Sequence, residues 1–202
     1  YRNAPITHKL ESKTMDSFGH QWNEFADMYA QWKNHFLDFL GHHIKSEDFQ
    51  NKCVLDMGCG FGRHSFYSAE YGAKKVIGID ISYSVDAAIL VNGIHHNVDF
   101  IQADIFSLPV KQEFELAYSI GVLQHTRDAK LAFKILGSKV KKGGAAFAWI
   151  YGIRPLSYRL TVDLLRRATV GLNANLLQLI SFVLAITSYI SLLIPVKILR
   201  SI

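Results

Sequence analysis

The sequence predicts an α/β fold: a doubly wound, mainly parallel sheet with helices on both faces, followed by an α-helical C-terminal appendage. Three observations carry this. Five short apolar runs, beginning at Cys53, Lys75, Asp99, Phe114 and Gly144, alternate with segments of helical periodicity, the pattern of βαβ units. The first run closes on Asp56 and three alternating glycines, Gly58, Gly60 and Gly62, a turn placed where such sheets bind ligands. Beyond Gly152 the alternation stops, and no charged residue occurs from Ala168 to Val196.

Each element has a local reason. From Met15 to about Ile44, Phe18, Trp22, Phe25, Trp32 and Phe36 recur at three- and four-residue spacing, so one helix with a wide aromatic stripe is expected, capped by Asp16 or Ser17. Residues 45–51 read as a charged connector. The strand at Cys53–Asp56 feeds the glycine turn and a helix over Arg63–Tyr71. A strand over Lys75–Ile81, a helix over Ser84–His95 and a strand over Asp99–Gln102 follow. Phe114–Ile120 is the fourth strand, Asp128–Val140 a helix, and Gly144–Tyr151 the fifth strand. Pro155 opens a helix with Leu156, Leu160, Leu164 and Leu165 on one side and Arg159, Asp163, Arg166 and Arg167 on the other; Gly171 ends it. A last helix begins at Asn173 or Asn175 and is stopped by Pro195. Three regions are expected: an N-terminal helical cap (1–45), a core (46–152) and the appendage (153–202).

Composition excludes several classes. Half of the 202 residues are apolar, which excludes a disordered chain, and two cysteines cannot staple a secreted disulfide scaffold. No repeat of 20–50 residues is present. The net charge of +5 is unevenly placed: the last 52 residues hold six basic groups against Asp163, while residues 1–150 are balanced at 16 and 16. Nucleic acid is therefore not the expected partner. No basic-then-apolar leader opens the sequence, and a cytoplasmic location is expected, with peripheral membrane contact as the alternative.

The glycine turn carries the chemistry. Glycine lets the backbone turn sharply and approach a ligand with no Cβ in the way. A dinucleotide fingerprint, G-x-G-x-x-G, fails because its third glycine would fall at Arg63. The pattern D-x-G-x-G-x-G instead resembles the first motif of the S-adenosylmethionine-dependent methyltransferases with a Rossmann-like fold. The segments V-I-G-I-D-I-S, V-D-F-I-Q-A-D-I, F-E-L-A-Y-S-I-G-V-L-Q-H-T and V-K-K-G-G-A-A-F-A-W-I-Y continue that resemblance in order over residues 50–152. Together with D-S-F-G-H-Q-W-N-E-F near the start, they look like a bacterial subfamily of mostly unassigned substrate. The resemblance implies S-adenosylmethionine as cofactor, held by Asp56, Gly58, Cys59, Gly60, Asp80, Ile81, Asp104, Ile105, Ser119 and Trp22. Asp80 would accept both ribose hydroxyls, and Asp104 with Ile105 would meet the adenine. Phe18, Gln21 and Trp22 would close the site from the N-terminal helix.

Methyl transfer asks the protein mainly for position and electrostatics, and an oxygen or carbon-acid acceptor adds a general base. His125, after the fourth strand, is the candidate base, with Tyr118, Ser119 and Gln124 at the same edge. Two chemistries are disfavoured: Y-S-I-G replaces the proline loop used on exocyclic base amines, and no cysteine follows the fourth strand as a nucleophile for cytosine C5. No metal site is expected, because the doublets His42-His43 and His95-His96 project about 100° apart on a helix.

The resembled family has two further strands, an antiparallel hairpin, so truncation at Ile202 is expected. The window Leu176–Ile194 has 14 apolar residues in 19, yet Gln178, Ser181, Thr187, Ser188 and Ser191 gather on about half the helix circumference. Residues 153–202 are thus expected to pack on the domain or in a homodimer, with peripheral membrane contact and a true span as the alternatives. Two functions stand: a methyltransferase acting on a small-molecule or lipid-like acceptor, and a cofactor-binding or interaction module without turnover.

Overall fold

The computed structural model describes residues 16, 18–22, 24, 26–111, 114–152, 155–169 and 171–193. The chain divides into two units, residues 1–151 and 152–202.

The first unit is built on β1 (Cys53–Met57), β2 (Lys75–Asp80), β3 (Val98–Gln102), β4 (Phe114–Ile120) and β5 (Val140–Trp149), all parallel in the order β3-β2-β1-β4-β5. The order reverses at β1 and β4, with Asp56 opposite Tyr118, so the crevice of a doubly wound sheet opens beside the glycine turn. Helices α1 (Trp32–Leu40), α2 (Arg63–Glu70), α3 (Ser84–Val91) and α4 (Ala129–Ser138) complete the unit. Successive strand side chains face opposite ways, which produces two cores. Val54 joins Phe36, Leu40, Phe49 and Tyr118 in one; Leu55 and Met57 join Ile79, Leu123, Ala132 and Leu136 in the other.

Four boundaries depart from the sequence reading. The single helix over 15–44 is broken: backbone is helical at 16, 18–22 and 24, extended or irregular at 26–29, and helical again in α1. The break has a packing reason. Trp22 and Trp32 both reach the Phe61 ring, at 5.3 and 5.7 Å. On one straight helix, ten residues would separate them by about 15 Å along the axis. The Ser17 alternative for the cap lies outside the described residues. Helix α3 stops at Val91, because the Asn92 amide donates to the Ala88 and Gly62 carbonyls. Strand β5 starts four residues early, at Val140, across an irregularity in β4 between Phe114 and Leu116. The connector after Ile44 contains a 3₁₀ turn, Ser46–Phe49, that buries Phe49.

The second unit holds α5 (Leu156–Thr169) and α6 (Ala174–Ser188), the latter capped by the Asn173 side chain on the Leu176 N–H and continued by a π turn over Tyr189–Leu193. Among its described residues none is buried.

Candidate active site

A cavity of about 260 Å³ opens at the carboxyl ends of the strands. Its floor is the glycine turn between β1 and α2. Gly58 has φ +85°, and a Cβ there would stand 2.4 Å from Val122, so the turn and the loop after β4 close on each other only without a side chain. Gly60, at φ +54°, lies beneath the Trp22 indole, 3.3 Å from where its Cβ would be.

Two carboxylates stand on one side. Asp80 ends β2. Its Oδ2 accepts the Gly60 N–H at 2.9 Å, and its Oδ1 accepts the Ser82 N–H at 2.9 Å and the Ser82 hydroxyl at 2.7 Å. A carboxylate offers about four acceptor positions, so one remains open. The Ser82 hydroxyl also lies 2.6 Å from Ser84 Oγ, and turning its hydrogen there opens a second. Asp104 follows β3 and caps the 3₁₀ turn Ile105–Ser107 through the Phe106 N–H at 2.8 Å. Its other oxygen lies 3.8 Å from Arg127, whose guanidinium covers the Phe106 ring at 3.9 Å.

The remaining wall is aromatic. Trp149 meets Phe39 at 4.8 Å and Tyr151 at 5.3 Å; Tyr151 meets His125 at 5.8 Å; His125 meets Phe18 at 5.3 Å. Into this wall project His64, buried and stacked on Phe36, and Arg63, whose guanidinium lies 4.6 Å over Trp32 and 5.7 Å from Phe61. Burial lowers the His64 pKa to about 3, with Arg63 adding to the effect, and lowers that of Arg63 itself and of His125. Both histidines are therefore neutral near pH 7.

Nine of the eleven residues singled out by sequence line the cavity: Trp22, Gly58, Cys59, Gly60, Asp80, Ile81, Asp104, Ile105 and His125. Two do not. Asp56 shares the Val54 face of β1, so its carboxylate points under α2 and accepts the Ser65 hydroxyl at 2.7 Å. Burial raises its pKa to about 7, against the hydrogen bond from Ser65. Ser119 is also buried and donates to the Met57 carbonyl at 2.7 Å. Both brace the strands that carry the turn. Phe18 is in the wall; Gln21 and Gln124 are not. Cys59 lines the cavity, but burial, then Asp56 and Asp80, pushes its thiol well above the ordinary range, which disfavours a thiolate. Sequence reasoning missed Arg63, Ser82, Phe106 and Trp149; the alternation of Trp149 and Tyr151 at the end of β5 was the available signal. Among the described residues no cluster of His, Cys, Asp and Glu could hold a metal ion.

Residues 54–144 match a family model described as a methyltransferase domain. Among curated relatives, a tRNA U34 carboxymethyltransferase of Shewanella baltica is 33% identical over 120 residues, 57% of this chain and 36% of that protein. The chain thus spans about a third of the length of the curated relatives it matches. Among solved structures, DhpI in a SAM–HEP complex is similar with a TM-score of 0.57 at 19% identity, over 79% of this chain and 73% of that one. A phosphoethanolamine N-methyltransferase of Haemonchus contortus, in complex with phosphomonomethylethanolamine and S-adenosylhomocysteine, gives 0.52 at 21% identity, over 64% and 32%. These two likenesses are of fold.

Proposed function

We propose that the chain binds S-adenosylmethionine in this cavity and transfers its methyl group to a small-molecule or lipid-like acceptor. The observation that carries the reading is the division of the wall, with the carboxylates of Asp80 and Asp104 on one side and an aromatic surface holding the Arg63 guanidinium on the other.

The groups present fit the cofactor. Asp80 has one open acceptor position for a ribose hydroxyl and gains a second if Ser82 turns to Ser84. The direct pair of ribose bonds expected from sequence therefore depends on Ser82. Asp104 offers its Oδ2 to the adenine amino group, with Ile105 and Phe106 against the ring. The N–H groups of Gly58 and Cys59 are both spent on the Ile79 carbonyl, and that of Gly60 on Asp80, so the turn offers no donor there to the cofactor's carboxylate. Arg63 supplies that donor: it lies in the wall, desolvated, with no carboxylate paired to it among the described residues. Asp56 and Ser119 act by positioning the turn and not by contact.

When bound, the cofactor supplies an electrophilic methyl group on a sulfonium. The protein's part is to hold an acceptor in line and to exclude water. The aromatic wall suits an apolar or planar acceptor, and His125, kept neutral, is able to take its proton. A tRNA acceptor, suggested by the Shewanella relatives, meets one obstacle. Residues 1–150 carry no net charge, whereas an RNA duplex or stem requires several phosphate contacts.

The test is release of S-adenosylhomocysteine when the chain is incubated with S-adenosylmethionine and a panel of phenols, fatty acids, prenyl alcohols and bulk tRNA. Turnover on a small or lipid-like acceptor supports the reading. Turnover on tRNA alone replaces the acceptor, and cofactor binding without any turnover favours the binding-module alternative.

A further inference from the structure

Residues 152–202 pose a problem of burial that the unit does not solve by itself. Two helices carry long apolar side chains, and no described residue of the unit is buried. Leu156, Leu160 and Leu164 on α5 are 67%, 61% and 70% exposed, and Phe182 and Ile190 beyond them are 64% and 58% exposed. Large apolar side chains exposed along both helices point to a binding face.

The charge says what covers it. Six basic residues and one acidic one lie in this unit, which holds the whole excess of the protein. On α5, at about 100° per residue, Arg159, Arg166, Arg167 and Asp163 occupy one arc of roughly a quarter of the circumference; Leu156 falls within it, and Leu160, Leu164 and Leu165 lie outside it. The apolar surface is thus bordered by guanidinium groups, the arrangement of a helix lying in a bilayer interface. The helix hydroxyls tell the same story. Thr161 donates to the Ser157 carbonyl at 2.9 Å, Thr187 to Val183 at 3.0 Å and Ser191 to Thr187 at 2.6 Å, so these polar groups need no water. Among the described residues no helix is long and apolar enough to cross a membrane.

We propose that residues 152–202 bind the surface of a bilayer rich in anionic headgroups, with the leucine face among the acyl chains and Arg159, Arg166 and Arg167 among the phosphates. This stands independently of the methyl-transfer reading.

Co-sedimentation of the full chain with phosphatidylcholine vesicles, with and without phosphatidylglycerol, tests it. Binding is expected to the anionic vesicles, to weaken in high salt and to be much poorer on phosphatidylcholine alone. The triple variant Arg159→Gln, Arg166→Gln, Arg167→Gln should lose about 100-fold in partitioning. Leu160→Glu with Leu164→Glu should abolish it. Helical content unchanged by far-ultraviolet circular dichroism shows that the variants keep their helices. Equal binding to both vesicle types, or an unchanged triple variant, overturns the proposal. So does a stable dimer in sedimentation velocity that ignores vesicles, since a second copy then covers the face.

Discussion

The two units treat apolar surface in opposite ways. In residues 1–151, Phe36 and Tyr118 are fully buried among aromatic neighbours, whereas in residues 152–202 Phe182 and Leu164 remain mostly exposed. The first unit closes its own core between sheet and helices. The second leaves its apolar residues exposed, the surface proposed above to meet a bilayer.

The largest effects should fall in the first unit. Phe36→Ala removes a ring packed on Phe49, Tyr71 and Tyr118 and is expected to cost about 3–5 kcal/mol of stability in denaturant unfolding. Phe182→Ala should stay within about 0.5 kcal/mol. A comparable loss at Phe182 would mean that the second unit has a core after all.

Next comes pH. Asp56 holds its proton up to about 7 in the fold against an ordinary 3.8, so its contribution to stability is full below pH 3.8 and is lost as pH rises toward 7. His64 resists protonation down to about 3 against an ordinary 6.5, so its contribution is full above 6.5 and is lost as pH falls toward 3. Between roughly pH 4 and 6.5 the two slopes oppose. Relative to wild type, the melting temperature of Asp56→Asn should rise with pH over that window, and that of His64→Phe should fall. Parallel curves for all three proteins would show that neither buried group is linked to folding.

A smaller effect separates Arg63 from the acceptor side. Arg63→Gln should weaken S-adenosylhomocysteine binding by about tenfold or more, the size of a lost charge-assisted hydrogen bond. It should leave 5′-methylthioadenosine, which lacks the amino-acid end, unchanged. Equal losses for both ligands would place Arg63 elsewhere. Smallest for binding is His125→Gln: no change in S-adenosylhomocysteine affinity, but turnover lower by about 100-fold once an acceptor is known. Unchanged turnover would remove His125 as base.

Sequence made the sheet legible because most of its strands are short, mainly apolar runs and its turn is marked by Gly58, Gly60 and Gly62; the polar Lys141-Lys142-Gly143 stretch hid the first residues of β5. It made Asp80 and Asp104 legible because strand ends place them at the ligand crevice. It misplaced Asp56 for a reason also in the sequence: two residues on from Val54, it shares that residue's inward face. The break between Trp22 and Trp32 was hidden, since both halves keep helical spacing and only their common contact with Phe61 separates them. Arg63 was hidden because its role depends on which backbone N–H groups the turn leaves free, which only the fold determines.

The central claim is that the cavity of the first unit holds the cofactor through Asp80. Calorimetric titration of S-adenosylhomocysteine into the chain and into Asp80→Ala tests it most directly. One saturable site is predicted, weakened about 10- to 100-fold by the substitution. No heat from the folded chain at millimolar ligand, or equal affinity in the two proteins, would contradict it.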